Sequence, residues 1–594
     1  MDTTLPAPFN LSHIPGEIET TNKTLKLWYD AIQAAPVVEY LPSGISRETF
    51  TEILKRFQDV LGEDAVILGD ELRLSYGDPF SMNEDEAERR GSSCAIRPTT
   101  VEQIQTIVKI ANEYKIPLWT VSRGKNLGYG GPVARIKGSV IVDLQNMNKV
   151  LDINDKYSYY TVEPGVSFFQ LYQAIKDQKK NIWCSVPALG WGSVVGNALD
   201  RGWGYTPHGD HSNQICGIEA VLADGSLVRT GMGALKDSKS WPLFRGGYGP
   251  TYDQMFNQSN FGIVTKLTLW ASPAPEGLML CHVDVPEEHD LKDLVDILRE
   301  LLLHDKIQNH PVIGNIIREI CRRGPRSQWY DGPGSIPDSR LKELQKELGV
   351  GFWDAIFGLY GPKEIIEHNY KACQEAFKAI KGSVLTGTAY YPQGKKYLAA
   401  DDVPYDLQAG VPSMAPLRTI EYRGLDGGHI SFSPVLPSDG KDALDFYYVA
   451  KSRCAQYGFD FVAGLHLHLR HLTHINMIHF DRQSQEDKDA ANNLFVDLVH
   501  DARRAGYGEY RAHVEHMDLV AEQYDFNEGA LMRLNEKIKD CLDPNGILSP
   551  GKQGIWPAAY RKARSRNLSN GEKGDAGKTG VESISQPAEL RSHI

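Results

Sequence analysis

Apolar residues recur along this chain in two periods, and the alternation between them predicts the elements. Phe50, Ile53, Leu54 and Phe57 make a helical stripe over residues 45–62, with Ser43 or Ser46 placed to cap it. Val101 to Asn112 is a clearer amphipathic helix. It lies between two short apolar runs, Ser93 to Arg97 and Ile116 to Val121, that read as strands. A helix joining two such strands must cover one face of a sheet, so this is a βαβ unit. Ser139 to Asp143 and Tyr159 to Glu163 read as further strands, and Ser167 to Lys176 as a helix. The chain up to residue 270 therefore reads as α+β with two small sheets. No G-x-G-x-x-G follows a first strand with an acid about 20 residues on, so one Rossmann sheet is not expected.

The pattern changes after Pro273-Ala274-Pro275, a linker by composition. Beyond it, Leu291 to Leu302, Arg340 to Leu348 and Gly361 to Ala379 read as helices. His429 to Pro434, Phe459 to Arg470 and Ile475 to Phe480 read as strands, and Ser484 to Ala505 as a long helix. Helices beside an antiparallel sheet make a second α+β unit. A length of 594 residues is consistent with two cores rather than one.

Charge and composition narrow the partners. A formal charge of -12 with no basic stripe argues against nucleic acid. No apolar run reaches the ~18 residues of a membrane span, and the N-terminus shows no apolar leader. Eight scattered cysteines form neither a disulfide framework nor a C-x-x-C metal knuckle, which suits a reduced compartment. From Arg561 to Ile594 the chain is polar and Gly/Ser-rich, and reads as a disordered tail. Its last three residues, Ser592-His593-Ile594, resemble a degenerate Ser-Lys-Leu address. The expected location is cytoplasmic or peroxisomal.

The strongest chemical signal is Ser122-Arg-Gly-Lys-Asn-Leu-Gly-Tyr-Gly-Gly131, with four glycines in ten residues. Such a loop curls its backbone N–H groups around an anion, although glycine loops also close ordinary turns. Downstream come Pro187 to Ala198, Arg201 to His211, Gly217 to Thr230 and Gln258 to Thr265, also rich in glycine and small polar residues. Tyr510 and Arg511 form a second candidate. A phenol and a guanidinium side by side both donate to one anionic oxygen, and Tyr129 adds a third donor. Most Arg and Tyr residues serve surface or packing roles, so the pattern alone leaves both readings open.

These five ordered segments resemble the FAD-binding domain of the vanillyl-alcohol oxidase/p-cresol methylhydroxylase flavoprotein family, most of all its 4-alkylphenol oxidases. The likeness spans about residues 90 to 560. It implies a two-domain FAD-linked oxidase fold. The FAD-binding domain would take residues 1–274 and return at 506–560, with a cap domain inserted at 275–505 and the tail at 561–594. It implies FAD held by Ser122, Arg123, Gly124, Lys125, Asn126, Gly128 and Gly130 of the first loop. Gly190, Ser193, Gly196, Asn197, Tyr205, Gly209, His211 and Ile263 would add contacts, with His429 beside the flavin ring. Tyr129, Tyr510 and Arg511 match the positions that bind the phenolate oxygen. The implied reaction is oxidation of para-substituted phenols: hydride passes from Cα to flavin N5 via a p-quinone methide, and O2 is reduced to hydrogen peroxide. The alternatives are a same-fold oxidoreductase acting on a non-phenolic alcohol or hydroxy acid, and a flavin-binding protein with reduced activity.

Two positions depart from the family pattern. His429 matches the histidine that bonds covalently to FAD, but Phe80 stands where a second histidine activates it. Ala188, in Val186-Pro-Ala-Leu-Gly190, stands where the family carries an aspartate near N5. On the strand Ala463 to Arg470 a period of two puts His466, His468 and Arg470 on one face. This makes His466 the candidate base near neutral pH, with His468 orienting it or contacting substrate. Together with His471 and His474 they also admit a metal reading, but no carboxylate or thiolate joins them, so none is expected. A homodimer is expected, since octameric relatives carry a longer loop than Gly231 to Trp241.

Overall fold

A computed structural model describes residues 38–561 except 84, 405, 406 and 425. The tail and its terminal tripeptide lie outside the described residues. The expected helix 45–62 forms as Arg47–Leu61, with the Ser46 hydroxyl accepting from Thr49 N. Helix Val101–Tyr114 opens on a capping box between Thr100 and Gln103 and ends with Lys115 in the left-handed region. Phe50, Ile53 and Phe57 from the first, and Ile104, Ile107, Val108 and Ala111 from the second, share one core over a four-stranded sheet. The strand order is Val66–Ile67, Cys94–Ile96, Val140–Asp143, Leu118–Val121. The last three are parallel, as the crossover helix requires.

The second sheet is antiparallel, in the order Val150–Asn154, Tyr159–Val162, Ile263–Trp270, Ile215–Val221, Leu227–Arg229. Helix Phe168–Asp177, with a capping box between Ser167 and Gln170, closes its core. The end of the chain ties into the first sheet: Leu118 N donates to Ile547 O at 2.7 Å and Ser549 N to Leu118 O at 2.8 Å. Buried Lys539 supports that return, pairing with Asp543 at 2.7 Å and donating to the carbonyls of Asn260 and Leu548.

A nine-stranded antiparallel sheet occupies the middle of the chain. Along it run Val384–Tyr390, Leu278–Val285, Trp353–Tyr360, Val312–Asn315, Ala463–Leu467, His471–Asp481, Pro434–Pro437 and Gly508–Glu509, and Gly427–Phe432 pairs with His471–Asp481. The expected helices appear as Leu291–Leu303, Asp338–Leu348, Lys363–Phe377 and Gln485–Ala505. Several elements were not legible in the pattern. Val384–Tyr390 is an edge strand with mostly exposed side chains, so it carries no inward alternation. Helix Gly440–Gln456 buries only a narrow stripe (Ala443, Phe446, Tyr447, Ala450, Cys454) among polar neighbours. Ile316–Arg323 is two turns long and starts at an Asn315 cap.

Candidate active site

A cavity of about 780 Å³ runs between the two small sheets and the large one. Ser122, Arg123, Gly124, Lys125 and Asn126 line one end, and Ser193, Gly196, Asn197 and Ile263 join them there. Tyr129, Tyr205, His429, His466, Tyr510 and Arg511 line the rest. Gly124, Gly128 and Gly130 all have positive φ (64°, 81° and 102°), which bends the loop back on itself. The amides of Gly124 to Leu127 find no acceptor within the protein, among the described residues. Asn197 Oδ1 is likewise buried without a partner. Unsatisfied donors in a glycine cradle, next to a buried lysine, suit a pyrophosphate, so these residues fit FAD. Burial pushes the Lys125 ammonium down to about 8, and it sits 4.6 Å from the Trp191 ring. Arg123 spends its donors on Trp191 O and Gly165 O, so it braces the loop.

Five expected contacts do not line the cavity: Gly128, Gly130, Gly190, Gly209 and His211. The glycines instead allow close packing behind it. A Cβ on Gly130 would meet Val514 at 2.4 Å, on Gly209 the Gly204 carbonyl at 2.1 Å, and on Gly190 the Phe169 ring at 2.9 Å. On Gly128 it would meet His429 Nε2 at 2.6 Å, so this glycine gives the imidazole its space. His211 is buried and stacked on Phe168, with burial lowering its pKa to about 4.

Tyr129 comes together with the Tyr510–Arg511 pair although it lies 381 positions before Tyr510 in the chain. The link is backbone pairing: Val514 N donates to Tyr129 O at 3.1 Å. Gln258 Nε2 holds Tyr510 O at 2.8 Å. The Arg511 carbon Cζ lies 5.0 Å from the Tyr129 ring and 5.5 Å from the Tyr510 ring. Its Nε and Nη2 donate to Asp200 O at 3.1 and 2.6 Å. Burial works against its charge, but Tyr510 and Tyr129 hold its pKa above the ordinary arginine value. Burial likewise raises Tyr510, so its hydroxyl stays a donor. Beneath them, buried Glu509 accepts from Ser433 N and fixes the strand end.

His429 lies on strand Gly427–Phe432 opposite His479, with Phe80 at a ring distance of 5.3 Å. Phe80 therefore does face the imidazole. Asp78 pairs with His513 Nε2 at 2.8 Å nearby, and both act electrostatically on His429. Burial lowers the His429 pKa to about 4, so the ring is neutral.

The strand histidines differ from the expectation in charge state. His466 lines the cavity, but burial, His310 and Arg318 hold its pKa well below the ordinary value, so it is a weak base near neutral pH. His310, which the sequence pattern did not single out, stacks on His466 at 5.1 Å and lies 5.0 Å from His468. His468 continues the stack to Trp203 at 3.8 Å and His471 at 4.4 Å. Arg470 is exposed, away from this group. His474 packs apart from it, between Phe446 and Phe461. Among the described residues no group of His, Cys, Asp and Glu is arranged to hold a metal ion.

Charge along the wall is one-sided. Asp200 is the one carboxylate among the described residues that line the cavity, against Arg123, Lys125, Arg318, Arg322, Arg418, Arg511 and Lys552. Ala188 lines it too, so no carboxylate stands at that position.

The chain matches the FAD binding domain family over residues 92–231 and the C-terminal domain of FAD linked oxidases over 421–553. It is 37% identical over 520 residues to the flavoprotein subunit of 4-cresol dehydrogenase (hydroxylating) from Pseudomonas putida, covering 87% of this chain and 97% of that one. Among solved structures, 4-ethylphenol oxidase from Gulosibacter chungangensis superposes with a TM-score of 0.82 at 34% identity, over 88% of this chain and all of that one. Substrate-bound p-cresol methylhydroxylase gives 0.80 at 35% identity, over 87% and 99%. With that identity over nearly the whole length, and with both halves of the cavity matched, the chain belongs to the vanillyl-alcohol oxidase/p-cresol methylhydroxylase family of FAD-linked oxidoreductases.

Proposed function

We propose that this protein is an FAD-dependent oxidase of para-substituted phenols, such as 4-hydroxybenzylic alcohols and 4-alkyl- or 4-allylphenols. The observation that carries the reading is the Tyr129, Tyr510 and Arg511 cluster in the cavity. A permanently charged guanidinium beside two tyrosine hydroxyls favours a phenolate over a phenol. Ionising the ring oxygen pushes electron density to the para carbon and makes its hydrogen a better hydride. FAD, when bound, supplies the hydride acceptor and passes the electrons to O2. The protein's part is to hold the phenolate and orient its para side chain past Tyr205 and His466.

The glycine cradle from Gly124 to Leu127 takes the pyrophosphate, with Lys125 as counter-charge. His429 would hold the flavin covalently: its neutral ring presents a lone pair that would replace one hydrogen of the 8α-methyl group, the two electrons left on the flavin would pass to O2, and the Asp78–His513 pair stands nearby. Phe80 slows that step rather than forbidding it. A homodimer is the assembly this reading expects. Anaerobic mixing of the holoenzyme with a panel of 4-substituted phenols tests the function: the flavin should bleach. A yellow protein whose flavin no phenol reduces rejects the reading.

A further inference from the structure

Three of the cavity's cations belong to neither the glycine cradle nor the phenolate clamp. Arg318 and Arg322 lie four residues apart on helix Ile316–Arg323, so they share one face, and that face lines the cavity. Arg418 comes from the 3-10 segment Ala415–Arg423, which packs against this helix and lines the same wall. Like charges at this spacing repel. Little in the protein offsets them. Arg318 Nη1 is buried without a hydrogen-bond partner. Asp354 Oδ1 reaches the same space over Gly314 as Arg318 Nη1, but the two form no ion pair and Asp354 is shared with His282. Arg322 has only a 3.5 Å contact with Glu319, and it is exposed, as is Arg418.

Their place relative to the clamp follows from shared neighbours. The Tyr205 ring lies 5.8 Å from His466, His466 pairs across the sheet with Val312, and Arg318 Nη1 comes within 2.9 Å of where a Cβ on Gly314, two residues further along that strand, would stand. Arg318 therefore shares the Tyr205 and His466 part of the wall, and the two exposed arginines stand beside it. The glycine cradle comes from the small sheets, whereas all three arginines come from the large-sheet side.

We propose that Arg318, with Arg322 and Arg418 at the mouth, forms an anion subsite opposite the phenolate clamp. The preferred substrates are then phenols whose para side chain ends in a carboxylate. This rests on the phenol reading above and adds the far end of the substrate. A carboxylate entering the cavity meets Arg322 and Arg418 first, which steers it, and then bonds to the unpartnered Arg318 nitrogen.

Binding tests the subsite without turnover. In 4-alkoxyphenols and (4-hydroxyphenoxy)alkanoates an ether oxygen replaces the carbon that would be oxidised, so neither reduces the flavin. Dissociation constants for matched pairs with one to three methylenes are read from the shift in oxidised-flavin absorbance of the holoenzyme. The acid of the best-fitting length should bind about tenfold to a hundredfold more tightly than its neutral partner, the size of one charge-assisted hydrogen bond. In Arg318→Met that ratio should fall toward one, and Arg318→Lys should restore part of it, with flavin content confirming the fold. Equal or weaker binding of every acid, or an unchanged ratio in Arg318→Met, overturns the proposal. Bleaching by 4-alkylphenols is measured in parallel. Acid preference without bleaching rejects phenol oxidation and keeps the subsite, whereas bleaching without acid preference rejects the subsite alone.

Discussion

Replacing Arg511 with methionine removes the one permanent charge at the phenolate end while keeping the length of the side chain. Two of its donors, Nε and Nη2, are occupied by Asp200 O. This leaves both Nη1 hydrogens and the second Nη2 hydrogen for the Tyr129 and substrate oxygens. A hydrogen bond to a charged group contributes about 1.5–3 kcal/mol, so substrate affinity should fall about tenfold to a hundredfold. The rate should fall further. Negative charge must remain on the ring oxygen until hydride leaves, and deleting a preorganised donor to such an oxygen costs about 10²–10³ in rate. Arg511→Met should therefore slow anaerobic flavin reduction by a 4-alkylphenol by about 10²–10³ with FAD retained, as measured by stopped-flow absorbance. Arg511→Lys should recover part of the rate, because it restores the charge but not the planar fork. Asp200 O loses two donors in the methionine variant, so thermal stability should also drop, by about 1–3 kcal/mol. Reduction at the parental rate, with flavin content unchanged, would refute the clamp.

Three further outcomes are expected. Acid precipitation should leave the yellow colour with the protein and His429→Ala should release it to the supernatant, while Phe80→His should speed attachment in apo-protein supplied with FAD. Light scattering should show a dimer as the main species, and a monomer or octamer would contradict it. In the His429→Ala protein, where FAD exchanges, affinity should be constant below pH 8 and weaken above it. The sign follows from Lys125: a pyrophosphate raises the pKa of a lysine that titrates at about 8 in the free site, so the charge contribution is complete below that value and lost as pH rises past it.

What the sequence shows of this molecule depends on how each feature is encoded. The helix Val101–Tyr114 is written twice, in its apolar stripe and in its Thr100/Gln103 cap, so its start falls where the pattern puts it. The glycine loop is equally legible, because positive φ at Gly124, Gly128 and Gly130 demands residues that few other constraints select. The Tyr129–Arg511 approach is not visible in local pattern, since it depends on one backbone bond from Val514 across the fold. Resemblance supplied that pairing. Resemblance also drew in Gly209 and His211, which pack against Gly204 and Phe168 and do not line the cavity. His310 and Arg318 stayed hidden because a single histidine or arginine carries no signal until tertiary structure stacks it or strands it.

The state of His466 decides how pH should act on the chemistry. A histidine near its ordinary pKa would gain a proton below about pH 6.5, and a reaction using it as base would lose rate there. His466 is not in that position. It is buried, it stacks on His310, and the Arg318 charge acts on it as well. Each neighbour penalises a positive ring, and His310 is itself held down to about 3 by burial and by His211 and His471. A depressed pKa means the neutral form persists through the whole range in which the protein is handled. Flavin reduction by a 4-alkylphenol should therefore show no acid limb between pH 5.5 and 8 that disappears in His466→Asn. The substitution keeps a polar group of similar reach, so a loss of rate independent of pH would mark a positioning role. A limb near pH 6.5 in the parent enzyme that is absent from His466→Asn would show that the imidazole does titrate, and would restore it as a proton acceptor in the reaction.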